Sequence, residues 1–482
     1  MCMKQNWHKK TSFLWLLCVL VLPATAQNYH ATNGSDDAGV MGIYNNPASS
    51  VGAKAKWDLN LLSVQISGAN SIAEQRDPHV FNLDTAAFQL KQGYGKRNFT
   101  NIVNVDIANF RYKINPKHAV SFGLRAKSYT HLQTSAINYQ DSLFNFNKFI
   151  KNNPYADLAF SLSHALWAEA FVNYATVLAD NDNYQWRAGA TVSFGRSLSG
   201  GFIQGSQMSF SEVNFNQNLY GFYMTRGDFS AMYSSNYDLL TKDGYQRKSA
   251  IDSFFKQTHR NTSLSFGMEW VIKQQPDFYS VSSKPTGEYS WKFGVSVLDI
   301  GRNTFTPTNG AFHVTHPQIK ATTVNLEDQF GNYTDLRKFR DSLALYFAQI
   351  DSLKTPFYVA MPTRMLLSVD KNLGSHFFVN AQASINFNKA MNRAQGASRE
   401  MTFLTVTPRW ETRNWGVFLP MQYNNSGQFW VGAAAKLGPL LVGVHRLSLL
   451  TGQLHAGSTG GYVALHYTPK PPKAPKTWYD CP

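Results

Sequence analysis

The sequence predicts an all-β protein, a transmembrane antiparallel β-barrel with an even number of strands, about 14 to 18. Three observations predict it: an export signal at the N-terminus, long runs of alternating apolar and polar residues, and connections that are alternately short and long. The chain has 482 residues, of which 14% are aromatic. Membrane barrels use aromatic residues to form a girdle at each interface with water.

The first 26 residues have the features of a cleavable secretory signal peptide. Three lysines precede an apolar run over 13–22, which is followed by Pro23 and Ala24-Thr25-Ala26. Such a run is too short for a membrane span, which needs about 20 residues. No later stretch approaches 18 consecutive apolar residues. We therefore expect cleavage near Ala26 and a location in the outer membrane.

Charge and cysteine content limit the classes of function. The formal net charge of +15 falls by three to +12 when the lysines of the signal are removed. The other charges are scattered singly along strand-like runs and no nucleic-acid-binding motif occurs, so we expect no nucleic-acid partner. Cys2 and Cys18 leave with the signal, so Cys481 has no partner for an intrachain disulfide.

Residues 120–127 show the alternation most clearly. One face carries Val120, Phe122, Leu124 and Ala126, and the other carries Ser121, Gly123, Arg125 and Lys127. Successive side chains of a strand point to opposite faces. A soluble sheet would bury the apolar face, whereas a membrane barrel turns it outward to lipid and lines its lumen with the polar face.

The same alternation recurs in four further runs, over 184–194, 263–272, 289–297 and 377–387. Lengths of about nine to twelve residues suit a tilted membrane strand better than a soluble strand of about five or six. We therefore expect the apolar faces to contact outer-membrane lipid. The side chains that we expect to face the lumen are Arg125, Lys127, Arg187, Glu269 and Lys292.

The connections indicate the topology. Tight turns are predicted at 115–118, 371–375, 412–414 and 437–439, and long loops at about 68–101, 132–154, 237–260, 301–357 and 388–400. Short periplasmic turns alternate with long outer loops in bacterial barrels. Residues 198–236 are ambiguous and could contain fewer strands than their pattern suggests.

Several long loops contain a helical pattern. Apolar residues recur at intervals of three and four over 334–353, and Thr334 or Asp335 can cap the start. Residues 141–151 and 248–258 show shorter versions. Two interpretations stay open: a lid or partner-binding surface at the barrel mouth, or helices that pack on their own loops.

No convincing catalytic or metal-binding pattern occurs in the sequence. His445 and Ser448 are three apart, and Ser163 and His164 are adjacent, so on a strand neither pair shares a face. His313 and His316 are only a weak metal signal. We therefore expect no enzyme activity, no metal and no cofactor.

Residues 36–64 carry Asn46-Pro47-Ala48 immediately before the first strand-like run. This segment resembles the N-terminal signature of the FadL-type long-chain fatty-acid transporters. Together with "SVLDIGRN" at 296–303 and the barrel pattern, the chain resembles the related Bacteroidota outer-membrane families, in particular the domain-of-unknown-function 5723 group. The PorV-like and PorP/SprF-like proteins of the type IX secretion system are neighbours of that group.

The resemblance implies that the segment before the first strand folds back as a hatch inside the barrel. The expected organisation is a signal peptide (1–26), a hatch-like segment (27–56), a barrel (57–468) and a Pro/Lys-rich periplasmic tail (469–482). Two functions stay open. One is a carrier for a small amphipathic or hydrophobic solute, and the other is a non-transporting partner of a secretion or surface-assembly system, contacted through the outer-loop helices.

Overall fold

The computed structural model describes residues 30–75, 88–140, 146–153, 157–216, 219–240, 247–274, 289–318, 336–388, 396–425, 427–447 and 458–469. The predicted signal peptide lies outside the described residues, and so does the predicted tail beyond residue 469. Among the described residues, no helix is long and apolar enough to cross a membrane.

The described chain is mostly strand. In chain order the strands are β1 (Trp57–Asn70), β2 (Ala73–Gln75), β3 (Phe88–Leu90), β4 (Gly93–Asn115), β5 (His118–Tyr139), β6 (Leu158–Asp180), β7 (Tyr184–Asn216), β8 (Leu219–Tyr233), β9 (His259–Lys273), β10 (Tyr289–Phe305), β11 (Phe312–Pro317), β12 (Phe347–Ser352), β13 (Phe357–Ala360), β14 (Arg364–Gly374), β15 (Phe377–Asn386), β16 (Gly396–Ala397), β17 (Phe403–Glu411), β18 (Trp415–Phe418), β19 (Met421–Asn424), β20 (Phe429–Val431), β21 (Ala433–Leu437), β22 (Leu440–Val444) and β23 (Ser458–Tyr467). The 3-10 helices are His30–Thr32 and Gly39–Tyr44, and the α-helices are Ser49–Gly52, Phe146–Asn152, Tyr237–Leu240, Arg247–Lys256 and Leu336–Leu343.

Fourteen antiparallel strands close into a barrel, which confirms the predicted fold class and the even strand number. The order around the barrel is β1, β4, β5, β6, β7, β9, β10, β14, β15, β17, β18/β19, β20/β21, β22 and β23, where β18/β19 and β20/β21 each count as one wall strand. The barrel closes where β23 pairs with β1. Two of these wall strands are interrupted, one at Leu419 and Pro420 and the other at Gly432. The closure leaves the described wall without a free edge, as a membrane requires.

The outer face of the wall is apolar and the inner face is polar. On β5, Phe122 and Leu124 are each 52% exposed, whereas Ser121 and Arg125, which flank the two, are buried. A soluble protein would place these residues the other way round. The apolar side chains are therefore the ones that contact lipid, and the polar ones line the lumen.

The wall is much taller on one side than on the other. Strands β4 to β7 have 22 to 33 residues, whereas β14, β15 and β17 have 9 to 11. The upper part of β7 continues beyond the barrel and pairs with β8, and β11 and β12 extend this sheet. The ambiguous residues 198–236 thus form one protruding hairpin and add no wall strand.

The prediction of one helix over 334–353 was wrong in its second half. The helix ends at Leu343, and Phe347–Ser352 forms strand β12. Phe347 is buried beside Phe312 and Val314 of β11, the strand with which β12 pairs, so tertiary pairing overrides the helical pattern. The shorter loop helices lie at Phe146–Asn152 and Arg247–Lys256.

Candidate functional site: the plugged lumen

Residues 30–56, which we call the hatch, lie inside the barrel near the end that carries the short turns. The hatch contains both 3-10 helices and the helix Ser49–Gly52. Its apolar side chains Val40, Met41 and Ile43 are at most 2% exposed and pack with inward-facing residues of the wall, among them Phe171 and Phe418. The hatch therefore fills the lumen rather than lying beneath it.

Asn46 and Pro47 join the hatch to the barrel wall. The Asn46 Nδ2 donates a hydrogen bond of 3.0 Å to the carbonyl oxygen of Met268, and the Asn173 Nδ2 donates one of 3.1 Å to that of Pro47. The Asn46 Oδ1 also accepts from the amide of Ala48 at 3.0 Å, which fixes the turn. The side chain of Asn46 thus binds the wall and shapes its own loop.

Two glycines of the wall leave room for this turn. A Cβ atom on Gly189 would clash with the backbone of Pro47, and one on Gly267 would clash with Asn46 and Pro47. Both glycines lie on the inward face, where the neighbouring lumen positions carry charged or hydroxyl side chains. Their lack of a side chain lets the hatch backbone approach the strands closely.

A charged latch holds the middle of the hatch. The Lys292 Nζ donates to the Asp36 Oδ1 at 2.5 Å and to the carbonyl oxygen of Gly34 at 2.9 Å. Arg187 lies 3.9 Å from Asp36 and 3.2 Å from Glu269. Burial acts to raise the pKa of the Asp36 carboxyl, but the charges of Lys292 and Arg187 outweigh it, so the pKa lies below its ordinary value of 3.8.

Further polar contacts fix the first turns of the hatch. Ser35 donates to Glu411 at 2.8 Å, and the Arg409 guanidinium, which pairs with Asp370 at 2.6 Å, also reaches the carbonyl oxygen of Asn33 at 3.4 Å. The amide of Val40 donates to Asp58 at 2.6 Å. Asp58 is itself paired with Arg111 at 2.5 Å, and both side chains are fully buried.

A second charged layer, which we call the belt, crosses the lumen beyond the hatch. Its members form one chain of alternating charge: Asp106, Arg125, Glu169, Lys127, Asp299, Arg364 and Glu400. Successive ion-pair distances along this chain are 3.5, 4.0, 3.1, 2.8, 3.5 and 3.0 Å. Every side chain of the belt is at most 11% exposed to solvent, so each charge is balanced mainly by its neighbours in the belt rather than by water.

Residues 357–363 and 396–400, which we call the outer plug, enter the lumen from the end that carries the long loops. Strands β13 and β16 pair in parallel within it. Phe357, Val359 and Met361 are fully buried and pack with Trp167 of the wall and Phe202 of the protruding hairpin. The carbonyl oxygen of Ala397 accepts a hydrogen bond of 2.7 Å from the Ser163 Oγ, so the outer plug spans to the opposite wall.

All five side chains that we expected in the lumen are buried there, and the structure divides them between two layers. Arg187, Glu269 and Lys292 surround the hatch, while Arg125 and Lys127 belong to the belt. Asn46, Pro47 and Ala48 all lie in the hatch, where Ala48 has no exposed surface.

Sequence reasoning missed several members of both layers. Asp299 has a φ of 55° at a bulge in β10, and this bulge shifts the alternation that would have marked the residue as inward-facing. Asp36 and Glu400 lie outside regular strands, so no periodicity could assign them. Arg409 and Glu411 do alternate within β17, and their spacing of two was a usable signal. Among the described residues, no group of three or more His, Cys, Asp or Glu could hold a metal ion.

These features define a class of protein: a membrane-spanning β-barrel whose lumen is filled from both ends by its own chain. The model of a family of unknown function (DUF5723) matches residues 47–445, so the chain belongs to that family. The predicted membership is thereby confirmed. No curated protein matches the chain.

Several solved structures are similar to the chain at low identity. The toluene transporter TbuX of Ralstonia pickettii is 11% identical with a TM-score of 0.43, and the match covers 93% of this chain and 99% of TbuX. A FadL homologue of Pseudomonas aeruginosa is also 11% identical with a TM-score of 0.39, covering 92% and 98%. A mutant of the monoaromatic hydrocarbon channel TodX is 8% identical with a TM-score of 0.39, covering 92% and 94%. At this level of likeness, nothing about solute or partner follows from them.

Proposed function

We propose that the protein is a gated carrier of the outer membrane that moves a small solute through its lumen and is closed at rest. The observation that carries this proposal is the hatch, which fills the lumen and is joined to the wall by many hydrogen bonds and ion pairs. Such contacts can be exchanged for contacts with a solute or with water. A barrel with a purely structural role would gain more from lumen side chains that pack on one another.

An outer-membrane location follows from the same proposal. The exterior of the barrel is apolar, its interior is charged, and the sequence begins with a predicted export signal. Bacterial barrels of this kind fold into the outer membrane, with their short turns in the periplasm. In that orientation the hatch faces the periplasm and the outer plug faces the outside of the cell.

Conductance in planar bilayers tests the proposal. We expect little steady current through the intact protein, because the hatch and the outer plug close the lumen in series. Deletion of residues 30–50 should leave the outer plug in place and give only brief openings. Deletion combined with Met361→Asp, which places a charge within the outer plug, should give large and lasting openings.

The control for this experiment is the fold. Each variant must still migrate faster on a gel before boiling than after, as folded barrels do. If the doubly altered protein folds and still carries no current, there is no path through the lumen and the carrier proposal is wrong.

A second function is favoured by a different observation, the height of one side of the wall. The sheet formed by upper β7, β8, β11 and β12 stands beyond the barrel, and helices lie in the loops beside it. A solute path does not require such a sheet. The protruding sheet would suit a docking surface for a partner in a secretion or surface-assembly system, the role of PorV-like or PorP/SprF-like proteins. Absence of current through the doubly altered protein would favour this role.

A further inference from the structure

Three arginines lie close together on the wall of the barrel. They occupy adjacent strands, as Arg196 on β7, Arg260 on β9 and Arg302 on β10, and all three are exposed. Arg196 pairs directly with Arg260 across the first two strands. Gly301 pairs with Ser263, so the next residue, Arg302, lies diagonal to Arg260. Long side chains in directly opposite or diagonal positions are within reach of one another.

The residues that follow these arginines show which way the arginines point. They are Ser197, Asn261 and Asn303, and each is at most 6% exposed. The Asn303 Oδ1 accepts hydrogen bonds from the Ser197 Oγ at 3.1 Å and from the Asn261 Nδ2 at 2.8 Å, so these three side chains meet inside the lumen. Successive side chains of a strand point to opposite faces. The three arginines therefore lie on the outer, lipid-facing side.

The height of the arginines on the barrel places them at one edge of the apolar band. Trp186 pairs with Trp270 near the short turns, and their exposed rings stack 5.7 Å apart. Arg196 lies ten residues along β7 from Trp186, and Arg260 lies ten residues from Trp270 along β9. Ten residues of a strand tilted by about 40° span about 25 Å, which is the height of the apolar band of a membrane barrel. The arginines thus lie at the level of the lipid headgroups on the long-loop side.

The charges of the three arginines are not balanced by the described part of the chain, in which no carboxylate lies within ion-pair distance of any of them. Like charges in directly opposite positions of a sheet are destabilising. Arg196 donates to the carbonyl oxygen of Thr258 at 3.2 Å, and the Arg302 guanidinium lies 4.7 Å over the ring of Tyr358. These neutral partners position the guanidinium groups and leave their positive charge in excess.

We propose that Arg196, Arg260 and Arg302 form a binding site for a phosphate group on the headgroup of a membrane lipid. The lipid belongs to the leaflet on the long-loop side, which is the outer leaflet in the orientation proposed above. A guanidinium donates two parallel hydrogen bonds to phosphate oxygens, and a phosphate between Arg196 and Arg260 offsets their repulsion. The acyl chains of the same lipid can pack on the exposed side chains of Phe194 and Phe266, which lie within the apolar band. The site is outside the lumen, so it does not depend on solute transport.

Native mass spectrometry of the full chain in a neutral detergent tests the proposal with two probes, diphosphoryl lipid A and the same lipid after removal of both phosphates. The two probes have identical acyl chains and differ only in phosphate. We expect the phosphorylated probe to bind more tightly. Arg196→Gln and Arg260→Gln should each weaken its binding about fivefold, the effect of one basic residue beside an anionic lipid, and leave the other probe unaffected.

The matched control is Lys371→Gln. Lys371 lies 4.5 Å over the exposed ring of Trp291 near the short turns, so it is an outer-face cation beside an aromatic ring at the opposite edge of the apolar band. Its loss should leave the binding of diphosphoryl lipid A unchanged. Inorganic phosphate should not displace the bound lipid, because it has no acyl chains to contact the wall.

Thermal unfolding separates binding from a structural role of the arginines. Without lipid, Arg260→Gln removes a like charge opposite Arg196, so the variant should unfold at a temperature equal to or above that of the native protein. With diphosphoryl lipid A the order should reverse, because a ligand raises the stability of the form that binds it more tightly.

Four results would overturn the proposal. They are equal binding of the two probes, native-like binding of diphosphoryl lipid A by the folded double variant Arg196→Gln/Arg260→Gln, an equal loss of binding in Lys371→Gln, and displacement of the lipid by inorganic phosphate. If the double variant does not fold, the single variants decide, and native-like binding by both of them overturns the proposal.

Discussion

At the outer plug, Phe357, Val359 and Met361 are fully buried among apolar side chains, whereas the hatch adds to its own apolar cluster a charged latch between Asp36 and Lys292. Both segments close the same lumen. When the apolar side chains of the outer plug lose their contacts, water does not replace those contacts, because exposing apolar surface to water is itself unfavourable. The ion pairs of the hatch lost the hydration of both partners when they formed, so the free energy that they contribute is smaller than their short distances suggest.

The comparison indicates which end of the lumen opens more readily. The hatch also has buried apolar side chains, but many of its contacts with the wall are hydrogen bonds and ion pairs, which water or a solute can replace. We therefore expect it to be the easier of the two to release. Since the outer plug needs an apolar replacement for its contacts, we expect it to be the more stable barrier. Each prediction below changes one of the two barriers, or the pH, and measures how readily that barrier is released.

The largest effect is expected for Met361→Asp in the outer plug. It places a carboxylate at a fully buried position among apolar side chains, and we expect a loss of about 4–5 kcal/mol of plug stability. Protease cleavage within the outer loops should increase while cleavage of the hatch stays low. The control is Leu345→Asp, at a residue that is 55% exposed, which should have little effect. Equal cleavage in both variants would mean that apolar packing does not hold the outer plug.

A smaller effect is expected for Lys292→Met in the latch. This change leaves Asp36 buried with only the more distant Arg187 as a partner, and it should cost the hatch about 3 kcal/mol of its binding to the wall. Protease access to the hatch, measured in folded protein, should rise. Adding Asp36→Asn should restore much of the protection, because no buried charge is then left without its partner.

The exposed pair in the hatch provides the comparison for that result. Lys54 pairs with Asp37 at 3.1 Å, but its side chain is 38% exposed, so Lys54→Met should cost only about 0–1 kcal/mol. If Lys54→Met releases the hatch as readily as Lys292→Met does, burial of the latch is not what makes it strong.

The smallest effect is expected from pH. The pKa of Asp36 lies below its ordinary value of 3.8, so the stability that this carboxylate contributes is fully present above that value and is lost only as pH falls through the lowered pKa. Protease access to the hatch should therefore be the same at pH 7 and pH 5 and rise only in stronger acid. In Lys292→Met the main cause of the lowering is gone, so release should begin at a higher pH than in the native protein. Release of the native hatch at pH 5 would contradict this account.

Much of the fold could be predicted because the wall follows a local rule. Lipid outside and charge inside impose a period of two on every strand, and Phe122, Arg125, Arg187 and Glu269 show it in the sequence itself. The same rule fails wherever the backbone departs from a regular strand. The bulge at Asp299 shifts the alternation, so this member of the belt could not be recognised as inward-facing. Pairing with β11 makes the second half of the predicted 334–353 helix into strand β12.

The sequence by itself determined the barrel, its even strand number and the orientation of its faces, because each depends on residues that are near one another in the chain. Only the tertiary structure decided how the lumen is filled. The latch joins Asp36 to Lys292, the belt joins Asp106 to Glu400, and the outer plug crosses to Ser163, so each contact links residues far apart in sequence. No periodicity encodes such a pair, since its two members meet only after the sheet has closed.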